Sequence, residues 1–137
     1  MKITVCGSMV FSEKMAETKK ELENLGHGVF ISSFAEKYVG KTEKEKEQQT
    51  IYDKNENDAI REFWEKIRES DAILVLNYDR KGIKNYIGGN TLMEIGFAHV
   101  LNKKIFLMNP VPEIEYYKSE IEAVRPVVIH SDFTKIS

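Results

Sequence analysis

The sequence predicts an α/β fold: a doubly wound, five-stranded parallel sheet with helices on both faces. Three observations carry this. Short β-rich runs alternate with helical patterns along the chain. One run, Ala72-Ile73-Leu74-Val75-Leu76, is apolar without interruption, as suits a central parallel strand. Gly, Ser, Asn and Pro then mark the ends of the runs, at Gly7-Ser8, Asn77 to Gly82 and Asn109-Pro110.

In order, Ile3 to Cys6 is the first strand, stopped by Gly7-Ser8. Ser12 to Leu25 reads as a helix, with Met15, Leu22 and Leu25 on one face, Ser12 as cap and Gly26 as stop. Val29 to Ile31 is the second strand and completes a β-α-β unit. Residues 33–57 break this rhythm as a charged insertion. Lys41 to Gln49 alternates Lys and Glu with no apolar face. That pattern predicts a solvated helix or loop, and its place after a strand end also admits a lid.

Asn57 or Asp58 caps the next helix, whose stripe is Ile60, Phe63, Trp64 and Ile67. The third strand, Ala72 to Leu76, leads through Asn77-Tyr78-Asp79 to a Gly-Gly turn and a helix from Asn90 to about Asn102. Lys104 to Met108 is the fourth strand, Ile114 to Val124 a helix, and Pro126 to Ile129 a last short strand. The expected strand order is 2-1-3-4-5, as in flavodoxin-like and Rossmann-like sheets. Ligands there bind beyond the carboxyl ends of the strands, at the switch between the first and third.

The bulk composition narrows the choice of function. At 137 residues the chain reads as a single domain. A formal charge of −2 offers no attraction for a nucleic-acid polymer or an anionic membrane. No apolar run has membrane-spanning length, and no signal peptide is evident. A single cysteine, Cys6, excludes an internal disulfide and fits a cytoplasmic protein, with Cys6 itself read as a buried hydrophobe. The three histidines are far apart, so neither a metal nor a cofactor is expected.

The stretch from Tyr86 to Ala98 concentrates the chemistry. Gly88 and Gly89 precede Asn90 and Thr91, either of which suits a helix cap, and Glu94 follows among Leu92, Met93, Ile95 and Phe97. Thr91-Leu92-Met93-Glu94 fits a capping box, and the local pattern alone favours that role. The other reading makes Glu94 a reagent, a carboxylate tuned by apolar neighbours and able to attack a sugar C1′. Gly7-Ser8-Met9, at a strand end, suits a phosphate. Asn77 and Asn109 leave neighbouring strands at the same edge and are further candidates for binding substrate.

Gly88-Gly89-Asn90-Thr91-Leu92-Met93-Glu94-Ile95-Gly96-Phe97-Ala98, with Leu101 to Ile105 and Ser70 to Leu76, resembles the nucleoside 2-deoxyribosyltransferase family. Cys6-Gly7-Ser8 is similar to the opening of its hydrolase relatives, the 2′-deoxynucleoside 5′-monophosphate N-glycosidases. The resemblance implies cleavage of the base–deoxyribose bond with Glu94 as nucleophile, through a covalent sugar–enzyme intermediate resolved by water or a second base. It also implies that Gly7 and Ser8 hold a 5′-phosphate and that Gly88 and Gly89 frame the sugar pocket. It implies a homodimer or larger homo-oligomer, with Ser119 reaching a neighbouring subunit's phosphate.

The chain departs from that pattern at three places. Thr4 stands where the hydrolases carry a tyrosine, Phe63 near where they carry an aspartate, and Gly88 and Gly89-Asn90 where the transferases carry one. Asp58, Asp71, Asp79 and Tyr78 are the substitutes considered as proton donors. Asp79 and Tyr78 lie at the right end of their strand and Asp71 at the wrong end. The expected function is therefore cleavage of the N-glycosidic bond of a nucleoside or its 5′-monophosphate, by hydrolysis or base exchange. The rivals are a non-catalytic nucleotide-binding or sensing domain, and a structural homo-oligomer in which Glu94 only caps.

Overall fold

Strand β1 (Lys2–Cys6) buries every residue after Lys2, because sheet partners flank it on both sides. It pairs in parallel with β2 (Gly28–Phe30) and with β3 (Ala72–Val75). Beyond β3 lie β4 (Lys104–Leu107) and β5 (Val127–Val128), again parallel, giving the order β2-β1-β3-β4-β5 expected from the sequence. The computed structural model describes residues 1–33, 35–56 and 58–137.

Alternation along the strands sorts the core into two layers. Ile3, Val5, Leu74 and Phe106 face α1 (Ser12–Asn24), which contributes Met15 and Leu22. Cys6, Ile73, Val75 and Leu107 face the other layer. There Ile67 of α4 (Ala59–Glu69), Ile95 and Ala98 of α5 (Gly89–Val100) and Ile121 of α6 (Lys118–Ala123) close the sheet. All of these side chains are buried. No described helix is long and apolar enough to cross a membrane.

Several boundaries differ from the sequence reading. Ser12 is the first residue of α1, not its cap. A 3-10 turn at Met9–Phe11 runs straight into the helix, and Ser8 caps that turn, its Oγ accepting from Val10 N at 3.4 Å. Asp58 caps α4, accepting from Arg61 N at 3.4 Å, while Asn57 lies outside the described residues. The helix expected from Ile114 begins only at Lys118. The Tyr117 hydroxyl donates to the Ile87 carbonyl, and this tie accompanies a non-helical Tyr117 backbone (φ −148°).

The largest difference is the Lys/Glu tract. Residues Ala35–Tyr38 form a short helix, α2, and Glu43–Glu56 form a long one, α3. Lys41 to Gln49 is largely solvated, as expected, except for Lys46, which is 5% exposed; further along α3, Asp53 is 2% exposed. Lys46 reaches Glu13 of α1 at 2.6 Å and the Val10 carbonyl at 3.2 Å. Arg80, in the loop after β3, pairs with Glu43 at 3.1 Å and Glu47 at 2.5 Å. A helix with no apolar stripe is thus seated on the carboxyl edge of the sheet through charged contacts.

Candidate active site

Glu94 does not cap its helix. Residue Gly88 is the N-cap of α5, in extended conformation, and its carbonyl accepts from Leu92 N at 2.9 Å. This leaves Thr91 inside the first turn and moves Glu94 well into the second, beyond reach of the free N–H groups. The capping box read from the sequence is therefore not formed. Instead the Glu94 side chain is 3% exposed. Its Oε1 accepts from Asn90 Nδ2, one turn earlier, at 3.3 Å. Its Oε2 makes no hydrogen bond among the described residues, and neither does Asn90 Oδ1.

A buried, half-satisfied carboxyl is costly in its charged form. Burial pushes the Glu94 pKa up to about 8, with the Cys6 thiol pulling it down in part. Burial also raises the Cys6 thiol well above its ordinary value, and the nearby carboxylate adds to this. Cys6 is therefore a buried thiol, as read from the sequence, and its neighbour is the buried Glu94 carboxyl.

Two connected pockets meet at this point. The outer one, about 150 Å³, is bounded by Gly7, Ser8 and Met9 of the loop after β1, and by Tyr86 and Gly88 to Thr91 at the start of α5. Thr50 and Lys54 of α3, with Arg80, complete its wall. The inner one, about 40 Å³, adds Glu94, Tyr38, Asp53 and Phe63 and shares Gly7, Met9, Thr50, Lys54 and Asn90 with the first.

The glycines shape this space differently. Gly7 adopts φ +154°, and a Cβ there would lie 3.2 Å from the Leu76 carbonyl oxygen. At Gly88 a Cβ would lie 2.8 Å from the Tyr86 hydroxyl, so the absent side chain makes room for that ring. A Cβ at Gly89 would meet nothing within 4 Å and would project into the open rim of the pocket.

The structure brings together Gly7, Ser8, Met9, Gly88, Gly89, Asn90 and Glu94 from the sequence candidates. It leaves others out of the pocket walls. Asn77 is fully buried, with its amide donating to the carbonyls of Asn109 (2.8 Å) and Pro110 (3.1 Å) and accepting from Asn109 N (2.9 Å). Asn109 Nδ2 returns a bond to the Asn77 carbonyl at 3.1 Å, so the two clamp adjacent strand ends together. Asp79 accepts from Asn85 N at 2.9 Å within its own loop. Tyr78 packs edge-on against Phe11, with ring centroids 5.4 Å apart, and burial raises its pKa. Asp71 accepts from Lys2 N at 2.7 Å at the entrance of β3, and Asp58 pairs with Arg61. Ser119 is exposed on α6.

Sequence reading missed Tyr38, Thr50, Asp53, Lys54, Arg80 and Tyr86. The first four belong to the charged insertion, where no motif announces them. Thr50 and Asp53 are spaced i, i+3, which puts them on one helix face, and that was the available signal. Lys54 is half-buried, borders both pockets and forms no ion pair among the described residues. No group of three or more His, Cys, Asp or Glu among the described residues could hold a metal ion. Thr4 is buried and bonded to Ser70 at 2.7 Å between their hydroxyl oxygens, which ties β1 to the start of β3.

No protein-family model matches the chain, and no curated protein does. Among solved structures, the fold is shared with a CMP N-glycosidase from Clostridium botulinum. The identity is 18% and the TM-score 0.55, over 93% of this chain and 85% of that one. It is shared also with a 2-deoxyribosyltransferase from the psychrotolerant bacterium Bacillus psychrosaccharolyticus. Here the identity is 23% and the TM-score 0.53, over 90% and 82% of the two chains. The two names match the group that the Gly88–Ala98 segment resembles.

Proposed function

We propose that the protein cleaves the N-glycosidic bond of a nucleoside 5′-monophosphate by hydrolysis, with Glu94 as nucleophile. One observation carries the proposal. Glu94 Oε2 is buried and has no hydrogen-bond partner among the described residues, at the wall of a pocket on the carboxyl edge of the sheet. A protein rarely buries such an atom without a use for it. The pocket adjoins β1 and β3, where sheet order reverses and ligands of such folds gather. The two solved neighbours named above act, by their names, on the bond between a base and its sugar.

Several features support a phosphate on the substrate. The loop Gly7-Ser8-Met9 opens a helical turn, and Lys54 stands across the same pocket without an ion-pair partner among the described residues. Lys54 would hold the phosphate, Gly89 would leave space for the sugar, and Asn90 would meet a sugar hydroxyl through Oδ1, which has no partner among the described residues. In the reaction Glu94 forms a bond to C1′ as the C1′–N bond breaks, its electron pair leaving with the base. Water then releases the sugar and restores the carboxylate. The same reading makes the protein a homodimer or larger assembly, with Ser119 serving a neighbouring phosphate.

The test is base release from a panel of ribo- and deoxyribonucleoside 5′-monophosphates by the wild type and Glu94→Gln. Gln keeps the contact to Asn90 but has no nucleophilic oxygen. The expected loss is at least about a thousandfold, roughly 4 kcal/mol of barrier. Undiminished release by a folded Glu94→Gln protein would sink the assignment. A second reading, a nucleotide-sensing domain, draws on the neutral form that burial imposes on Glu94 in the free protein. It prevails if nucleotides raise the melting temperature and no member of the panel loses its base.

A further inference from the structure

We infer that Asp53 of α3, oriented by Tyr38, carries the proton that leaves with the base, in place of the aspartates this sequence lacks. The inference rests on the reading of Glu94 as nucleophile and adds the group that reading needs. An N-linked base is a poor leaving group as an anion, so a donor must protonate it as the bond breaks. The acidic and phenolic candidates seen in the sequence are occupied elsewhere: Asp71 on Lys2 N, Asp79 on Asn85 N, Asp58 on Arg61, and Tyr78 against Phe11.

Asp53 differs from them in place and in chemistry. It is 2% exposed and borders the inner pocket together with Glu94 and Tyr38. The Tyr38 hydroxyl donates to Asp53 Oδ2 at 2.6 Å, and Gln49 Nε2 donates to Oδ1 at 3.0 Å. Two donors to one carboxyl favour its ionised form. Burial and the Asp53 charge in turn raise the Tyr38 pKa, so the phenol keeps its proton and orients the carboxylate. Glu62 also borders this pocket, but it is only half-buried and its Oε1 accepts from Ser33 Oγ at 2.6 Å, at the solvent side.

The free site then holds one mobile proton between two carboxyls: Glu94 neutral, Asp53 charged. Such opposed environments are how a pair of carboxyls divides acid and nucleophile roles. The inner pocket, about 40 Å³ and bordered by both groups, is large enough to hold a water. With substrate bound, the Glu94 proton passes to Asp53, leaving the Glu94 carboxylate to attack C1′. The C1′–N bond breaks, and the base takes the Asp53 proton with the electron pair. In the second step the Asp53 carboxylate accepts a proton from water as its oxygen bonds to C1′. The bond from C1′ to Glu94 breaks, its electron pair returning to the carboxylate. The proton now on Asp53 goes back to Glu94 when the products leave, and both groups regain their starting forms.

The test compares leaving groups. The probes are the four common deoxynucleoside 5′-monophosphates and 4-nitrophenyl 2-deoxyribose 5-phosphate, whose phenolate departs without protonation. Asp53→Asn should slow base release by about a hundredfold or more, and change first-turnover 4-nitrophenolate release, read at about pH 9 where Glu94 ionises without Asp53, less than about fivefold. Tyr38→Phe should show the same selectivity at about tenfold. Glu94→Gln should lose both reactions. Equal loss with both probes in Asp53→Asn would mark a structural role and overturn the inference, as would unchanged base release. If Asp53→Asn does not fold, Tyr38→Phe decides by the same criterion. Selectivity appearing in Glu62→Gln and not in Asp53→Asn would overturn the assignment in favour of Glu62. If Glu94→Gln retains base release, the nucleophile reading fails independently, whatever Asp53 does. If the wild type attacks neither probe, the enzyme reading falls and this inference with it.

Discussion

Helix α5 reaches the pocket by sinking Ile95 and Ala98 into the apolar layer beneath the sheet. Helix α3 reaches the same pocket, and the side chains it buries among its described residues are Lys46 and Asp53. Its apolar residues Ile51 and Tyr52 are 58% and 56% exposed. The first helix is held by area removed from water, a force that needs no partner geometry. The second is held by Lys46 on Glu13, Arg80 on Glu43 and Glu47, and Asp53 under Tyr38. Each of these ion pairs leaves its glutamate partly exposed, so the pairs are directional and screened by salt. A site built between two such helices has a firmly packed wall that carries Glu94 and a wall that detaches more readily.

The largest effect that would sharpen this contrast comes from the carboxyl that α5 buries. Glu94 titrates near 8 in the folded protein, against about 4.5 when exposed. Between those values the folded chain holds a proton that the unfolded chain has lost. The favourable contribution is therefore complete below the unfolded pKa and lost as pH rises through about 8. At about 1.4 kcal/mol per pH unit, the total is on the order of 5 kcal/mol. Urea unfolding should find Glu94→Gln more stable than wild type by a few kcal/mol at pH 9 and nearly equal to it at pH 5. A gap that does not vary with pH would show that the carboxyl is not desolvated as described.

A somewhat smaller loss is expected where α5 meets the core. Ile95→Ala should cost about 3 kcal/mol of global stability, read as a lower urea midpoint with an unchanged slope. A loss under about 1 kcal/mol would mean that α5 is less firmly packed than α3, reversing the contrast. The smallest effect belongs to α3. Its Lys46 is nearly buried but its partner Glu13 is 46% exposed, so Lys46→Ala leaves no buried orphan charge. Global stability should fall by about 1 kcal/mol or less. Amide exchange should quicken across Glu43–Glu56 and stay slow in α5. Equal acceleration in both helices would show that they open as one unit.

Much of the architecture was legible because apolar patterning and topology are nearly the same information. The uninterrupted run at Ala72–Leu76 suited a central strand, and strands alternating with helices left few workable orders. The pocket's location at the β1 and β3 ends followed from that order. Glu94 was legible as a chemical group but ambiguous as a role. Its spacing from Thr91 is that of a capping box, and only the true helix start at Gly88 removed that reading. Asn77 and Asn109 lie at the right edge yet face each other, a choice of side-chain direction that spacing cannot reveal.

The sequence by itself determined the sheet, its strand order and the edge where a site would form. These rest on local periodicity and on handedness rules that act on any chain with this pattern. The tertiary structure alone decided the far wall of the pocket. A helix of alternating Lys and Glu has no apolar face to declare where it will dock. Its place depends on Glu13 and Arg80, which are distant in the chain and near only after folding, and on Tyr38 of the short helix before it. The same step turned Asp53 from one charge in a solvated-looking tract into a buried carboxylate at the pocket that Glu94 borders.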